Sequence, residues 1–250
     1  MIRIEHLSYS FGKQPILNDI SLHVAQGSFT ALLGPNGCGK TTLLRCIGGL
    51  LKPQSGTVIL QGKELRDYNP RQLAQQLSFV RQQASTDFEF TAFDLVMMGR
   101  NPYQKHLENE SQSDRQLVEQ CMRQTNTWHL RDSFPREMSG GELQRVMIAR
   151  ALAQSTPIML LDEPTSNLDI AHQFDIMEML SNICQRQGKT ILLVVHDLNL
   201  ALRYCPQAVL LHNYGIIAHG AIENVLTSNN IRTAFGIESE EVGGTLRFYR

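Results

Sequence analysis

Apolar positions along this chain fall into short runs and helical stripes. Residues 2–10 alternate weakly between apolar and polar and are predicted as a strand. Residues 29–33 form an apolar run that stops at Gly34, the pattern of a buried strand. A helical pattern follows over 41–51 and ends at Lys52-Pro53. Residues 57–60 and the stretch after Gly62 are predicted as a hairpin, and 77–80 as another strand. From about 85 to 154 the texture changes: 93–98, 113–124 and 142–154 are helical by pattern, and the polar sequence between them carries Trp128, the one tryptophan. This block is predicted as a helical insertion. Strand patterns return at 158–161, 190–195, 208–211 and 215–218, and the first two alternate with helical segments at 170–187 and 198–204. Strand, helix, strand at these lengths predicts a parallel sheet with crossover helices. Residues 245–249 are predicted as a short edge strand.

The chain's 250 residues suffice for one large α/β domain or a core with an inserted subdomain. Hydrophobic residues at 42% and charged residues at 19% are ordinary for a soluble globular protein. A formal net charge of −1 gives no electrostatic case for nucleic acid or an anionic membrane surface, so no nucleic-acid partner is expected. The first residues, Met1 to His6, lack the apolar stretch of a signal peptide. No apolar run approaches the roughly 18 residues that span a bilayer, so any membrane role is expected to come through a partner. Cys38, Cys46, Cys121, Cys184 and Cys205 are scattered, with no C-x-x-C, and are expected to be reduced thiols of a cytoplasmic protein. The eight histidines form no H-x₃₋₅-H pair, which argues against a zinc site.

Candidate chemistry sits at four places. Gly34-Pro35-Asn36-Gly37-Cys38-Gly39-Lys40-Thr41-Thr42 fits G-x-x-x-x-G-K-[ST] without a mismatch, after a predicted strand and before a predicted helix. In such a loop the backbone N–H groups wrap phosphates, Lys40 reaches the β- and γ-phosphates, Thr41 ligates Mg²⁺ and Thr42 adds a phosphate hydrogen bond. The competing reading is a chance glycine-rich turn, which the context on both sides disfavours. Cys38 reads as a small side chain in a tight loop. Residues 158–161 are an apolar strand running into Asp162 and Glu163. Alone this is a common solvated pair; downstream of a phosphate loop, Asp162 can hold Mg²⁺ through water and Glu163 can polarise an attacking water. His196 follows the next strand, where ligands of open α/β sheets gather. Lastly, Met138-Ser139-Gly140-Gly141-Glu142 forms a glycine-rich turn ahead of a helix. Its free N–H groups, the Ser139 hydroxyl and the helix's positive end make a second anion site.

These motifs, in this order and over essentially the whole chain, resemble the ATPase subunits of ABC transporters. The resemblance implies an α/β fold: a RecA-like P-loop core with a mostly parallel sheet, an N-terminal antiparallel β part and an inserted helical subdomain. One domain would cover 1–250, with 1–84 and 155–250 as nucleotide-binding core and about 85–154 as the helical subdomain. It implies that 34–42 is the Walker A loop, Gln82 the Q-loop glutamine, Met138 to Glu142 the signature, Asp162 the Walker B aspartate and Glu163 the catalytic glutamate. Ser166 to Asp169 would be the D-loop and His196 the switch histidine. Mg²⁺ would be held by Thr41, Gln82 and Asp162. Phe11 fits the adenine-stacking position by its spacing to Pro15-Ile16-Leu17, with Tyr9, two residues earlier, as the alternative ring.

The family forms head-to-tail homodimers with two ATPs between the chains. Ser139, Gly140, Gly141 and Glu142 would therefore contact ATP held by the partner copy, much as an arginine finger acts in trans. Met138 stands where Leu is usual, Glu142 where Gln is usual, and Arg81 where many relatives have Pro. Residues 99–102, 196–201 and Phe235-Gly236 resemble importers of iron–siderophore, haem and cobalamin, with iron–siderophore favoured. Such importers also contain permease subunits and a substrate-binding protein, and would place this chain on the cytoplasmic side of the inner membrane as a peripheral subunit. The alternatives are the ATPase of another ABC importer or exporter, and a non-transport ABC ATPase. A small-molecule kinase would need neither signature nor D-loop, and a non-hydrolysing subunit would not need both Glu163 and His196.

Overall fold

The computed structural model describes residues 1–81, 89–104 and 110–249. In chain order its elements are β1 (Ile2–Phe11), β2 (Gln14–Val24), β3 (Phe29–Leu33), α1 (Lys40–Ile47), β4 (Ser55–Leu60), β5 (Lys63–Glu64), α2 (Pro70–Ala74) and β6 (Leu77–Val80). A helical stretch follows: α3 (Ala92–Met97), α4 (Gln112–Gln124) and α5 (Gly140–Ala153). The chain then runs through β7 (Ile158–Leu161), α6 (Ile170–Gln187), β8 (Thr190–Val194), α7 (Leu198–Tyr204), β9 (Gln207–His212), β10 (Gly215–Ala221), α8 (Ile222–Val225), α9 (Ser228–Phe235), β11 (Glu238–Val242) and β12 (Thr245–Tyr249).

A six-stranded sheet of order β10-β9-β3-β8-β7-β6 forms the centre. Its strands are parallel except for β10, which returns antiparallel to β9. Every residue of β3, β7 and β8 is buried, because both faces of the sheet are covered. The two-residue period of a strand divides these residues between two cores. Ala31, Leu33, Met159, Leu161, Ile191 and Leu193 face α6 and the helical stretch, including Leu95, Val118, Met122 and Val146. Leu32, Ile158, Leu160, Leu192 and Val194 face α1 and the antiparallel sheet β2-β1-β4-β5, through Leu43, Leu44, Ile4, Leu7 and Ile20. Among the described residues no helix is long and apolar enough to cross a membrane.

Several elements depart from their predicted bounds. The first helix ends at Ile47, not Leu51, because Gly48-Gly49 follows and Gly49 takes the left-handed φ of +70°. Gly140 and Gly141 are the first two residues of α5, with Ser139 as N-cap, not a turn ahead of the helix. Residues 245–249 form the expected short edge strand, paired with β11 in a separate two-stranded sheet. The weak alternation in β1 has a cause: His6 has φ 50° and the pairing shifts register between Ile4 and Leu7.

Candidate functional site

The chemistry gathers where the parallel strands β3, β7 and β8 end. After β3 the chain turns through 34–42 into α1. Gly34 has φ +144°, and a Cβ there would lie 2.3 Å from the Leu211 carbonyl oxygen. Gly39 caps α1 at φ +101°, backed by the Ile16 carbonyl at 2.9 Å from a would-be Cβ. Both positions exclude larger residues. Gly39 brings no side-chain cap, so the first N–H groups of α1 point into the loop as donors for an anion.

Lys40 is 5% exposed. Its Nζ donates to the carbonyls of Gly34 at 2.8 Å and Pro35 at 2.9 Å, which fixes the ammonium over the loop. Burial lowers its pKa, opposed by Cys38, Glu163 and Asp162. Thr41 Oγ1 donates to Asp162 Oδ1 at 2.8 Å. Asp162, 3% exposed, has its pKa raised by burial, against the Thr41 bond and the charge of Arg45. A hydroxyl and a buried carboxylate short of compensating charge are hard oxygen donors that suit Mg²⁺. No cluster of three or more His, Cys, Asp or Glu ligands occurs among the described residues. Mg²⁺ needs none, since it takes one or two protein oxygens together with substrate phosphates.

Glu163 carries a left-handed φ of 51°, uncommon for a side-chain-bearing residue, which turns the chain sharply off β7. Its Oε1 lies 2.6 Å from His196 Nε2, just past β8. Asn36, Gly37, Lys40, Thr41, Glu163 and His196 line one cleft of about 270 Å³, with Ile16 from β2 on its rim. At the tip of the β1–β2 hairpin, Phe11 is 53% exposed and meets the half-buried Tyr9 edge-on at 5.0 Å. Of the two rings, Phe11 presents the freer face. Gln82 lies outside the described residues.

Ser139, Gly140, Gly141 and Glu142 do not line that cleft. At the N-terminus of α5 they form a capping box, and Glu142 Oε2 accepts from both the N–H and the hydroxyl of Ser139. The segment before α6 packs against them. A Cβ on Gly140 would lie 3.7 Å from Leu168 Cδ2, and one on Gly141 3.1 Å from His172 Cδ2. Asp169 caps α6, accepting from the His172 N–H at 2.9 Å and holding His172 Nδ1 at 2.8 Å. The His172 contacts hold the Asp169 carboxyl below the usual range.

Sequence reasoning passed over three residues. His172 carries the contact between Asp169 and Gly141, and the Asp-x-x-His spacing at a helix start was its signal. Asp197 caps α7 directly after His196, accepting from Asn199 and Leu200 N–H at 2.8 and 3.0 Å, and an acid ahead of a helical pattern announces such a cap. Arg100, read only as part of a subclass motif, bonds Asp114 Oδ1 and the Ala153 carbonyl, each at 2.7 Å, and lies over the Tyr103 ring. It ties α4 to the end of α5.

Residues 17–166 match the family model described as ABC transporter. Among curated proteins the chain is similar to the ferric enterobactin transport ATP-binding protein of Escherichia coli (strain K12), 38% identical over 248 residues, spanning 98% of this chain and 92% of that one. Among solved structures it is similar to one described as an inward-facing metal-chelate type ABC transporter, with TM-score 0.85, 28% identity and coverage of 99% and 95%. It is also similar to a dimeric ATP-binding cassette in a post-hydrolysis state bound to ADP and phosphate, with TM-score 0.77, 29% identity and coverage of 89% and 99%.

Proposed function

The chain belongs to the ABC transporter family, and from that premise we propose that it is the ATP-hydrolysing subunit of a metal-chelate importer, with ferric siderophores as the favoured cargo. It binds ATP with Mg²⁺ and hydrolyses it, as the family's ATPase domains do. The observation that carries the reading is the convergence of Lys40, the Thr41–Asp162 pair and the Glu163–His196 pair on one cleft, with Ser139 outside it.

In this reading the loop N–H groups and Lys40 hold the phosphates, Thr42 adds a bond and Phe11 stacks on adenine. Thr41, Asp162 and Gln82 hold Mg²⁺, which when bound neutralises phosphate charge. Glu163 orients and polarises the attacking water, and His196 steadies that carboxylate and bonds the γ-phosphate. Ser139 and the first N–H groups of α5 lie outside the phosphate cleft of their own chain, and in this reading their ligand is the ATP of a second copy in a head-to-tail homodimer. Asp169 and His172 brace that helix end. Residues 1–84 and 155–250 act as the nucleotide-binding core and about 85–154 as a helical subdomain; α3, α4 and α5 pack on one another, which supports this division. Through that subdomain and Gln82, dimer closure reaches permease subunits, which hold the chain at the cytoplasmic face of the inner membrane and receive cargo from a substrate-binding protein.

The 38% identity over nearly the full length to a ferric enterobactin transport subunit favours the siderophore cargo. The test is reconstitution with the importer's permease and binding protein in liposomes, following radiolabelled ferric siderophore. ATP-dependent uptake that Glu163→Gln abolishes is the expected result. Uptake of haem or cobalamin in its place would reassign the cargo, and failure to assemble with any permease would refute the importer reading.

A further inference from the structure

The Ser139 hydroxyl, assigned above to a partner's ATP, is already engaged. It donates to Glu142 Oε2 at 2.7 Å, and the Ser139 N–H donates to the same oxygen at 2.8 Å. The return bond, from the Glu142 N–H to Ser139 Oγ, is long at 3.3 Å. One anionic oxygen therefore takes both donors of Ser139 at the positive end of a fourteen-residue helix. That is the position and bonding of a phosphate oxygen bound at a helix N-terminus. The bond from the Ser139 hydroxyl, followed by that from its N–H, holds the Glu142 carboxyl below the ordinary range, so the group is an anion at neutral pH. The Arg145 guanidinium is a cationic neighbour that acts in the same direction.

A helix cap alone does not require this. Glutamine, the usual residue of the family at this position, can accept from the Ser139 N–H as a cap does, but its amide oxygen is neutral. A carboxylate adds two things: charge-assisted bonds, which are about twice as strong, and a negative charge where a negatively charged ligand has to arrive. Both act in the same direction.

We propose that Glu142 is an internal competitor for phosphate: in the free subunit it occupies the Ser139 donors, and it has to release them before they reach ATP held by a second copy. Glu142 thereby sets the affinity of the ATP-bound dimer and shortens its life. The inference rests on the in-trans reading of Ser139, and it makes the exchange of Glu for Gln a specificity-determining feature of this chain.

The test compares Glu163→Gln with the double variant Glu142→Gln/Glu163→Gln, both slowed in hydrolysis, by sedimentation velocity across a protein titration in Mg-ATP. The dimer has two such sites, so the double variant is expected to dimerise at a roughly tenfold to hundredfold lower protein concentration, about three- to tenfold for each charge-assisted bond exchanged for a neutral one. The single Glu142→Gln variant is expected to show a severalfold lower apparent KM for ATP. Because glutamine keeps the cap and the shape, circular dichroism should match the parent. Equal or weaker dimerisation of the double variant, with Ser139→Ala impaired in turnover, overturns the competitor role and leaves the in-trans reading standing. Wild-type turnover in Ser139→Ala overturns both.

Discussion

Gly141 tests how the start of α6 and the Ser-Gly-Gly turn are locked together. It is the second residue of α5 and is not left-handed, so alanine fits its backbone, and in the first turn helix propensity alone would add less than about 0.5 kcal/mol of stability. A Cβ at this position would sit 3.1 Å from His172 Cδ2 and 3.3 Å from its Cγ. The imidazole cannot turn aside at no cost, since its Nδ1 is bonded to Asp169 at 2.8 Å. Pushing α5 or the ring outward to relieve the overlap costs about 1–3 kcal/mol. The clash outweighs the propensity gain, and Gly141→Ala is expected to destabilise the chain by about 1 kcal/mol. His172→Ala removes the obstacle, so in that background the same substitution becomes neutral or stabilising, a coupling of about 1–2 kcal/mol. Urea denaturation of the four chains without nucleotide reads the packing apart from any phosphate contact. Stabilisation by Gly141→Ala alone, or a coupling indistinguishable from zero, would refute the contact.

Glu163→Gln is expected to retain ATP binding and to slow hydrolysis by about 10²-fold or more, measured as phosphate release; a smaller loss would remove Glu163 from the acid–base role. Lys40→Ala should weaken binding of a fluorescent ATP analogue, and unchanged affinity would take Lys40 out of the phosphate site. Arg100→Ala breaks a nearly buried pair, with side chains 11% and 16% exposed, and among the described residues leaves Asp114 with the Ser111 hydroxyl alone. The cost is about 3 kcal/mol, seen as a lower denaturation midpoint, and an unshifted midpoint would contradict the bracing role. The Asp114 carboxyl is held below its ordinary 3.8 by the Ser111 hydroxyl first and by Arg100 after it. Its stabilisation is therefore complete above that ordinary value and lost as pH falls through the depressed one, and Arg100→Ala should flatten this acid limb.

Much of the site was legible because its parts are local. The loop 34–42 and the acidic end of β7 each sit in one short stretch, and strands covered on both faces read as near-continuous apolar runs, with Thr30 the polar residue within β3. Elements with broken or absent periodicity were not legible. In β2 the buried Leu17, Ile20 and Leu22 change parity at Asp19, whose φ is 52°. Helix α2 buries no residue, so it carries no apolar stripe, although its Asn69 capping box was there to read. Gly140 and Gly141 read as a turn because glycine is a poor helix former, yet the first turn of a helix is where that weakness costs least. The contacts that explain these glycines, with Leu168 and His172, come from a distant segment and follow no sequence spacing.

In the proposed dimer the Ser139 turn is half of a site completed by a second copy. Light scattering of Glu163→Gln, alone and combined with Ser139→Ala, tests it most directly. Monomers without nucleotide, a dimer with Mg-ATP, and loss of that dimer when Ser139 is also replaced are expected. A Glu163→Gln chain that binds ATP but stays monomeric, or one that dimerises equally well without the Ser139 hydroxyl, would contradict it.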